Sequence, residues 1–279
     1  MMTGAFFFAL MSALVKVAGR RVPVMEIILA RSLVVAILAA AWLLRAGAPL
    51  LGRERGLLAL RGVLGLAALT CFYSAVIHLP LADATVIQYM NPIFTALIAA
   101  VVLHEAMSWR EPALALVSLL GVVLVARPTA VFSTTDALDP VWVGVELLGA
   151  VLSASAYVAV RRLRREDPLV IVLYLAVVSG VVALPLALRG FVMPDAATWG
   201  LLLGVGASTF TGQVFLTRAL GIERAGAAVS VAYVQIIFAA GWGWLLFGDA
   251  PDAFTGAGAL IIIGSTALLV RLHPVVGRR

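Results

Sequence analysis

The chain has 279 residues, of which 63% are hydrophobic and 12% are charged, and its mean hydropathy is +1.10. Soluble domains average roughly 45–50% apolar and about 25% charged residues, so this composition excludes a soluble protein and predicts an integral membrane protein. A net charge of +6 would favour nucleic-acid binding in a soluble protein. Here the basic residues lie at the ends of apolar segments, and we expect membrane lipid and no nucleic acid as a partner.

Ten apolar segments follow one another along the chain, most of them close to the 20 or so residues that a helix needs to cross the hydrocarbon core. They are continuous and rich in Leu and Ala, without the alternation of a barrel strand. The first lacks the basic start of a signal peptide, so we expect it to remain as a helix. The predicted segments are 2–19, 24–44, 57–77, 83–103, 112–127, 141–160, 168–188, 198–217, 225–247 and 253–270.

Three charged residues fall within the first two segments. Lys16 lies one helical turn before Arg20 and can extend its ammonium to the surface. Glu26 follows Pro23 in the first turn of the second segment, where a helix N-terminus favours an anion. Arg31 lies roughly 12 Å along that helix, too deep for easy solvation. We expect mutual pairing to keep these membrane-embedded groups charged and to stabilise helix contacts.

Segment four combines a polar stripe with a proline. Gln88, Asn91 and Thr95 are spaced to lie on one face of a helix. Pro92 removes a backbone hydrogen bond and predicts a kink, which would serve as a hinge beside the stripe. Tight packing of helices around Asn91 is the alternative interpretation.

The two halves of the chain align with each other at an offset of 143 residues, as Phe72 with Phe215 and Gly121 with Gly264 show. Each half contains five segments, so the second copy enters the membrane from the opposite side. The sequence therefore predicts an all-α integral membrane fold of ten transmembrane helices in two inverted five-helix repeats. The predicted units are residues 1–127, a linker at 128–140, and residues 141–279 with a short C-terminal tail.

The basic residues predict the orientation of these repeats. With both termini in the cytoplasm, fourteen of the 20 basic residues lie on the inner side, four lie on the outer side, and two fall within segments. The positive-inside rule therefore places both termini in the cytoplasm. The inner set is Arg45, Arg53, Arg55, Arg61, Arg110, Arg161, Arg162, Arg164, Arg165, Arg218, Arg224, Arg271, Arg278 and Arg279; the outer set is Arg20, Arg21, Arg127 and Arg189.

Polar positions shared by the repeats predict the substrate path. Ser12 aligns with Ser155 and Thr70 with Gln213, and polar groups deep in a segment are costly unless they face the bundle interior or a wet cavity. Hydroxyls that bond their own helix backbone are the alternative for the serines and threonines. Together with the polar and aromatic residues of segments three, four, six and nine, the predicted substrate-binding residues are Ser12, Thr70, Tyr73, Gln88, Tyr89, Asn91, Ser155, Tyr157, Gln213, Tyr233, Gln235 and Trp242.

Short motifs mark segment four, and they are Ala82-Asp83-Ala84, Gln88-Tyr89-Met90-Asn91-Pro92 and Leu103-His104-Glu105. The matching segment nine has Ala225-Gly226-Ala227, and then Gly248-Asp249 where the glutamate is expected. In these motifs the chain resembles the EamA-type transporters of the drug/metabolite transporter superfamily, although Gln235 stands where the repeat aligns Pro92. The resemblance covers almost the whole chain. It implies export of small metabolites, commonly amino acids or related molecules, by alternating access in a bacterial-type inner membrane.

Signals for other functions are missing from the sequence. Ser108 stands where the H-E-x-x-H motif that begins at His104 needs its second histidine, so we expect no catalytic metal, no cofactor and no enzyme activity. A non-transporting membrane enzyme or scaffold is the alternative from another class. We expect no buried carboxylate in the middle of a segment, where it could bind and release a proton. This favours facilitated diffusion over the alternative of proton-coupled drug/metabolite antiport. The sequence does not specify an oligomeric state.

Overall fold

The computed structural model describes residues 1–79, 81–104, 109–126, 138–247 and 253–272, and within these ranges every regular element is a helix. The predicted linker at 128–140 lies mostly outside them. A 3-10 segment, Val231–Val234, joins the helices Ala225–Ser230 and Gln235–Phe247. The helices are α1 (Met2–Ala18), α2 (Val24–Arg45), α3 (Arg55–His78), α4 (Leu81–Gln88), α5 (Asn91–Val102), α6 (Arg110–Ala126), α7 (Pro140–Arg162), α8 (Pro168–Leu188), α9 (Ala196–Ile222), α10 (Ala225–Ser230), α11 (Gln235–Phe247) and α12 (Ala253–Leu272).

Six helical stretches of the described residues are long and apolar enough to cross a membrane. Helix α1, most of α12 and the stretch Val86–Val102 are apolar but shorter. The fold is therefore an all-helical, multi-pass membrane fold, as the composition predicts. The six stretches are Val24–Arg45, Arg55–Phe72, Pro140–Arg162, Pro168–Leu188, Ala196–Ile222 and Ala225–Leu246.

Helices of the first half pack mainly against helices of the second half. The most extensive contacts join α3 to α7, α2 to α8, α1 to α9 and α6 to α12. The largest buried cluster likewise combines side chains from both halves, among them Leu43, Leu58, Leu163, Val170 and Leu220. Lipid tails are as apolar as these side chains, so close packing and small residues hold membrane helices together more than the hydrophobic effect does.

Helices α6 and α12 cross closely at two glycines. A Cβ added to Gly258 would lie 2.6 Å from the backbone oxygen of Gly121 and 2.7 Å from Val125. One turn away, the hydroxyls of Ser118 and Ser265 lie 2.8 Å apart and share a hydrogen bond. Because the two glycines have no side chains, the backbones of α6 and α12 approach closely, and the two serine hydroxyls can form their hydrogen bond.

Gly258→Ala is expected to lower stability, because the new methyl group would displace a backbone oxygen and not a flexible side chain. Overpacking of this kind costs about 1–3 kcal/mol. Gly256→Ala on the same helix is the matched control, since a Cβ there meets nothing within 4 Å and alanine favours helix by about 1 kcal/mol over glycine. Thermal unfolding in detergent checks the pair. Equal midpoints for both variants would contradict the close crossing.

Aspartates cap three consecutive helices of the second half. Asp139, Asp167 and Asp195 each accept a backbone N–H at the start of α7, α8 and α9, at 2.8–2.9 Å. Hydrogen bonds from Thr198 lower the pKa of the exposed Asp195 carboxyl, and Arg21 acts in the same direction. Such caps satisfy orphan backbone donors, so these residues fix where the helices begin.

Candidate functional site

The predicted hinge at Pro92 lies where the structure divides one apolar segment into two helices. Helix α4 ends at Gln88, and α5 begins at Asn91 with Pro92 in its first turn. Proline is well accommodated there, because its missing N–H belongs to the donors that a first turn leaves free. The sequence predicts a kink in a continuous helix, and the structure instead shows a complete break at Tyr89 and Met90.

The second half has a break at the equivalent place without a proline. Val231–Val234 forms a 3-10 turn between α10 and α11, and Gln235 is the first residue of α11. At the offset of 143 residues, Tyr89 and Met90 correspond to positions 232 and 233. Discontinuous helices are where transporters commonly place ligand-binding backbone and side-chain groups. The two breaks therefore define the candidate site.

An aromatic contact joins the two breaks. The rings of Tyr89 and Tyr233 stack with centroids 5.8 Å apart. Beside them, the amide nitrogen of Asn91 donates to the hydroxyl of Ser153 on α7 at 3.1 Å. Tyr157, one turn further along α7, interacts electrostatically with Tyr89. The predicted residues Tyr89, Asn91, Tyr157 and Tyr233 thus lie in one region between the halves.

Four buried polar atoms of the predicted residues have no hydrogen-bond partner within the described ranges. They are Oε1 of Gln88, Oδ1 of Asn91, Oε1 of Gln213 and the hydroxyl of Tyr233. A buried polar group without a partner costs about 1–3 kcal/mol. Three of these atoms belong to residues at the two helix breaks and the fourth to Gln213 on α9, and their lack of partners makes them candidates to bind a ligand.

The remaining predicted residues make local contacts. The hydroxyls of Ser12, Thr70 and Ser155 each donate to the carbonyl four residues earlier, at 2.9–3.0 Å, and no hydrogen bond among the described residues joins them to Gln213. Trp242 packs against Phe6 with ring centroids 5.7 Å apart. The side chain of Tyr73 lies outside the described residues. The structure therefore supports the backbone-bonding alternative for the three hydroxyls.

The charged residues of the first two helices do not pair as expected. The Glu26 carboxylate is buried, and its Oε2 accepts the backbone N–H of Val192 at 3.1 Å, while its Oε1 has no partner. Lys16 is exposed and Arg31 is half-buried. Among the described residues Glu26 makes no ion pair with either of them, so the expectation of mutual pairing is wrong for Glu26.

Arg61 is a buried arginine that the sequence analysis assigned to an inner loop. It lies in α3, six residues or about 9 Å from the start of the helix, and is 3% exposed. Its Nε has no hydrogen-bond partner, and no carboxylate of the described residues lies within ion-pair distance. Gly65 leaves the space that the guanidinium occupies. Tyr157 is close enough to interact with it electrostatically.

An open cavity of about 660 Å³ lies at the same end of α3 and α7 as Arg61. We call it the arginine vestibule. Arg161 is anchored there by donating to the carbonyls of Leu220 and Gly221, at 3.2 and 3.1 Å. Five guanidinium groups around one cavity create a strongly positive potential. The lining residues are Glu54, Leu103, Arg161, Arg162, Arg164, Arg165 and Arg224.

The second buried charge that the sequence analysis missed is Glu146. It is the seventh residue of α7 and is 0% exposed, and neither carboxyl oxygen has a hydrogen-bond partner in the described part of the chain. The prediction that no buried carboxylate lies at mid-span did not take account of Glu146, which is buried at the seventh position of its 23-residue helix. The glutamate was visible within the predicted segment 141–160, but only the packing of α3 against α7 places it in the interior.

Comparison with known proteins identifies the family to which this architecture belongs. The model of the EamA-like transporter family matches residues 1–127 and 141–271. The chain is a member of the EamA-like transporter family. Members of this family are membrane transporters and not enzymes, which agrees with the absence of catalytic motifs from the sequence.

Three relatives of this EamA-like chain are named as transporters or solute carriers. The pseudopaline exporter CntI of Pseudomonas aeruginosa is 38% identical over 269 residues, covering 96% of this chain and 93% of the exporter. Human solute carrier family 35 member G1 is 30% identical, covering 76% of this chain and 61% of the relative. An S-adenosylmethionine uptake transporter of Rickettsia prowazekii is 27% identical, with coverages of 76% and 70%.

A solved structure shares the fold of this EamA-like transporter. A crystal structure at 19% sequence identity superposes with a TM-score of 0.78 and covers 98% of this chain and 96% of the other chain. At this identity the likeness concerns the fold alone. The overall arrangement of the helices is therefore shared with that structure.

Proposed function

We propose that this EamA-like transporter exports small, amino-acid-like metabolites that carry a carboxylate across a bacterial-type inner membrane. The observation that carries the proposal is the buried guanidinium of Arg61, which has no counter-ion among the described residues. An unpaired buried charge is costly, so a negatively charged group supplied by the substrate is its natural partner. Arg61 lies on α3, seven residues beyond Glu54, which lines the arginine vestibule.

The arginine vestibule supports the same substrate class. Its volume of about 660 Å³ lies within the range of roughly 300–1,000 Å³ of small-molecule sites. Its positive potential would concentrate anionic groups before they reach Arg61. The unpartnered amide oxygens of Gln88 and Asn91 are suitable acceptors for an amino group of the same molecule.

We further propose that transport uses alternating access between two inverted five-helix repeats. The helix contacts support this symmetry, because exchanging the halves maps one contact onto another: α3 on α7 corresponds to α9 on α1, and α5 on α7 to α11 on α1. The pairs α2 with α8 and α6 with α12 map onto themselves. Ten spans result if α4 with α5, and α10 with α11, each count as one crossing.

The relative with the highest identity given above supports export as the direction, although another relative is an uptake transporter. One relative is an exporter of pseudopaline, and it matches nearly the full length of this chain. For energy coupling, the sequence favours facilitated diffusion because no buried carboxylate was expected. The burial of Glu146 removes that argument and favours proton antiport, the alternative mechanism.

Flux through proteoliposomes tests the substrate class. Purified full-length protein is expected to move labelled amino acids at least tenfold faster than the corresponding amino-acid amides, because a charge-assisted hydrogen bond to arginine contributes about 1.5–3 kcal/mol. Liposomes without protein provide the background. Equal rates for acids and amides would refute carboxylate recognition, and no flux for any compound would refute the amino-acid class.

Cysteine labelling tests the proposed orientation, in which both termini are cytoplasmic. In a background with Cys71 replaced, a cysteine at Gly190, in the exposed turn after α8, is expected to react with an impermeant maleimide from outside whole cells. A cysteine at the exposed Arg164 is expected to react only after the membrane is opened. Labelling of both sites from the same face would contradict the inverted repeat.

A further inference from the structure

Glu146 has a position that the transport path described above does not use. Its helix, α7, crosses the membrane, and Glu146 lies about 9 Å from the start of that helix. The side chain is completely buried, and both carboxyl oxygens lack hydrogen-bond partners within the described ranges. Glu26, a buried carboxylate on α2, instead accepts a backbone N–H from Val192. The two acids therefore differ in their environment.

The surroundings of Glu146 are set by the antiparallel contact between α7 and α3. On α7, Trp142, Glu146 and Gly149 are spaced along one helical face. Trp142 stacks on His78 of α3 with ring centroids 3.5 Å apart, and a Cβ added to Gly149 would lie 2.8 Å from Cβ of Cys71. Glu146 therefore lies between these two contacts and faces α3.

The titratable groups that face this region are few. Cys71 of α3 interacts electrostatically with Glu146, and Nδ1–H of His78 donates to the carbonyl oxygen of Ser74 at 2.8 Å. Helix α4 carries Asp83, whose side chain lies outside the described residues. Helices α5 and α10 contain no titratable residue, and α9 meets α7 at its far end, near Arg161.

Among the described residues, an ionised carboxylate at this place would have neither a hydrogen-bond donor nor a cation to stabilise it. Burial of such a charge costs several kcal/mol, so the carboxyl is neutral, as –COOH, in the packing described here. If α3 and α7 separate during alternating access, water reaches the group and the carboxyl ionises to –COO⁻, releasing one proton. Substrate and proton can then be moved in opposite directions by the same structural change.

We propose that Glu146 is the proton-binding site that couples transport, with one proton taken up from outside for each substrate molecule exported. The group takes up a proton from the outer side, stays protonated while α3 and α7 are packed together, and releases the proton when the inward-open state gives it access to the inner side. This inference rests on the proposed export function only for the second of its two tests.

The first test needs no substrate. Infrared spectra of the full-length protein in lipid are expected to contain a protonated-carboxyl band at neutral pH that Glu146→Gln loses and Glu26→Gln keeps. Because glutamine is uncharged and of nearly the same size, both variants are expected to fold, and their thermal midpoints check this. An unchanged band in Glu146→Gln would overturn the proposal, as would a band lost only in Glu26→Gln.

The second test measures coupling with the amino acid that moves fastest in the flux panel. With the membrane potential clamped, a pH gradient of one unit corresponds to about 1.36 kcal/mol per proton, or roughly tenfold accumulation at one proton per substrate. Wild type and Glu26→Gln are expected to approach this ratio, and a protonophore to abolish it. Glu146→Gln is expected to equilibrate substrate at a ratio near one while retaining substrate–substrate exchange.

The outcomes separate the two proposals. Loss of both accumulation and exchange in a folded Glu146→Gln would show that Glu146 binds substrate or shapes the site, and would overturn the coupling role. Accumulation that persists in Glu146→Gln would overturn it equally. If no amino acid is transported by the wild type, the proposed substrate class fails, and the infrared result still decides whether Glu146 holds a proton.

Discussion

Arg61→Gln is expected to raise the KM for a carboxylate-bearing substrate by roughly tenfold to a hundredfold. The reason is the loss of a charge-assisted hydrogen bond of about 1.5–3 kcal/mol, in a buried place where little water can replace it. Arg61 is 3% exposed and its Nε has no partner, so the guanidinium is available to a substrate. Transport measured over a range of substrate concentrations gives KM and the maximal rate separately.

The stability of Arg61→Gln distinguishes recognition from a structural role. Removing a buried charge that has no counter-ion relieves a desolvation cost, so the thermal midpoint is expected to stay the same or rise. Arg189→Gln, at the exposed end of α8, is the matched control and is expected to leave KM unchanged. A lower midpoint of thermal unfolding, together with equal changes in KM for acids and amides, would show that Arg61 acts in helix packing.

Arg224→Met is expected to destabilise the protein by about 2–3 kcal/mol. Arg224 precedes α10 and its Nη1 lies 2.8 Å from Oε1 of Glu111, in the first turn of α6. The Glu111 side chain is only 4% exposed, and removing the partner of a buried charge costs more than removing a surface ion pair. The effect is expected without substrate, as a lower midpoint of thermal unfolding in detergent.

A double-mutant cycle isolates the contribution of this ion pair. Glu111→Gln is expected to destabilise the protein as well, and the double variant to be more stable than the sum of the two losses implies, because neither charge is then left behind. Arg218 is an exposed arginine near the C-terminal end of α9, six residues before Arg224. Arg218→Met therefore removes one positive charge and controls for net charge. Additive losses, or a loss no larger than that of Arg218→Met, would contradict a stabilising pair.

Hydropathy was sufficient to predict the helical membrane fold, and the short sequence motifs indicated the family resemblance. They also identified Gln88, Asn91, Gln213 and Tyr233, whose polar atoms are buried without partners. These residues could be found because a polar group inside an apolar segment is conspicuous. The break at Pro92 could be found because proline acts locally on its own helix.

Features that depend on tertiary contacts were not predictable in this way. Arg61 and Glu146 both lie six residues inside their helices, and a residue so close to a segment end is equally compatible with a loop. The neighbouring helix decides its burial: Gly65 makes room for the Arg61 guanidinium, and α3 covers Glu146. The 3-10 turn at Val231–Val234 contains no proline or glycine from which it could be predicted.

The two helix breaks differ in what maintains them, and this difference makes the two halves mechanically unequal. At Asn91 the interruption is fixed covalently, because the Pro92 ring removes a backbone donor in every conformation. At Val231–Val234 all the donors remain, so this turn can rewind into α-helix and lengthen or shorten the crossing. We therefore expect amide exchange to be faster across Val231–Val234 than within α5.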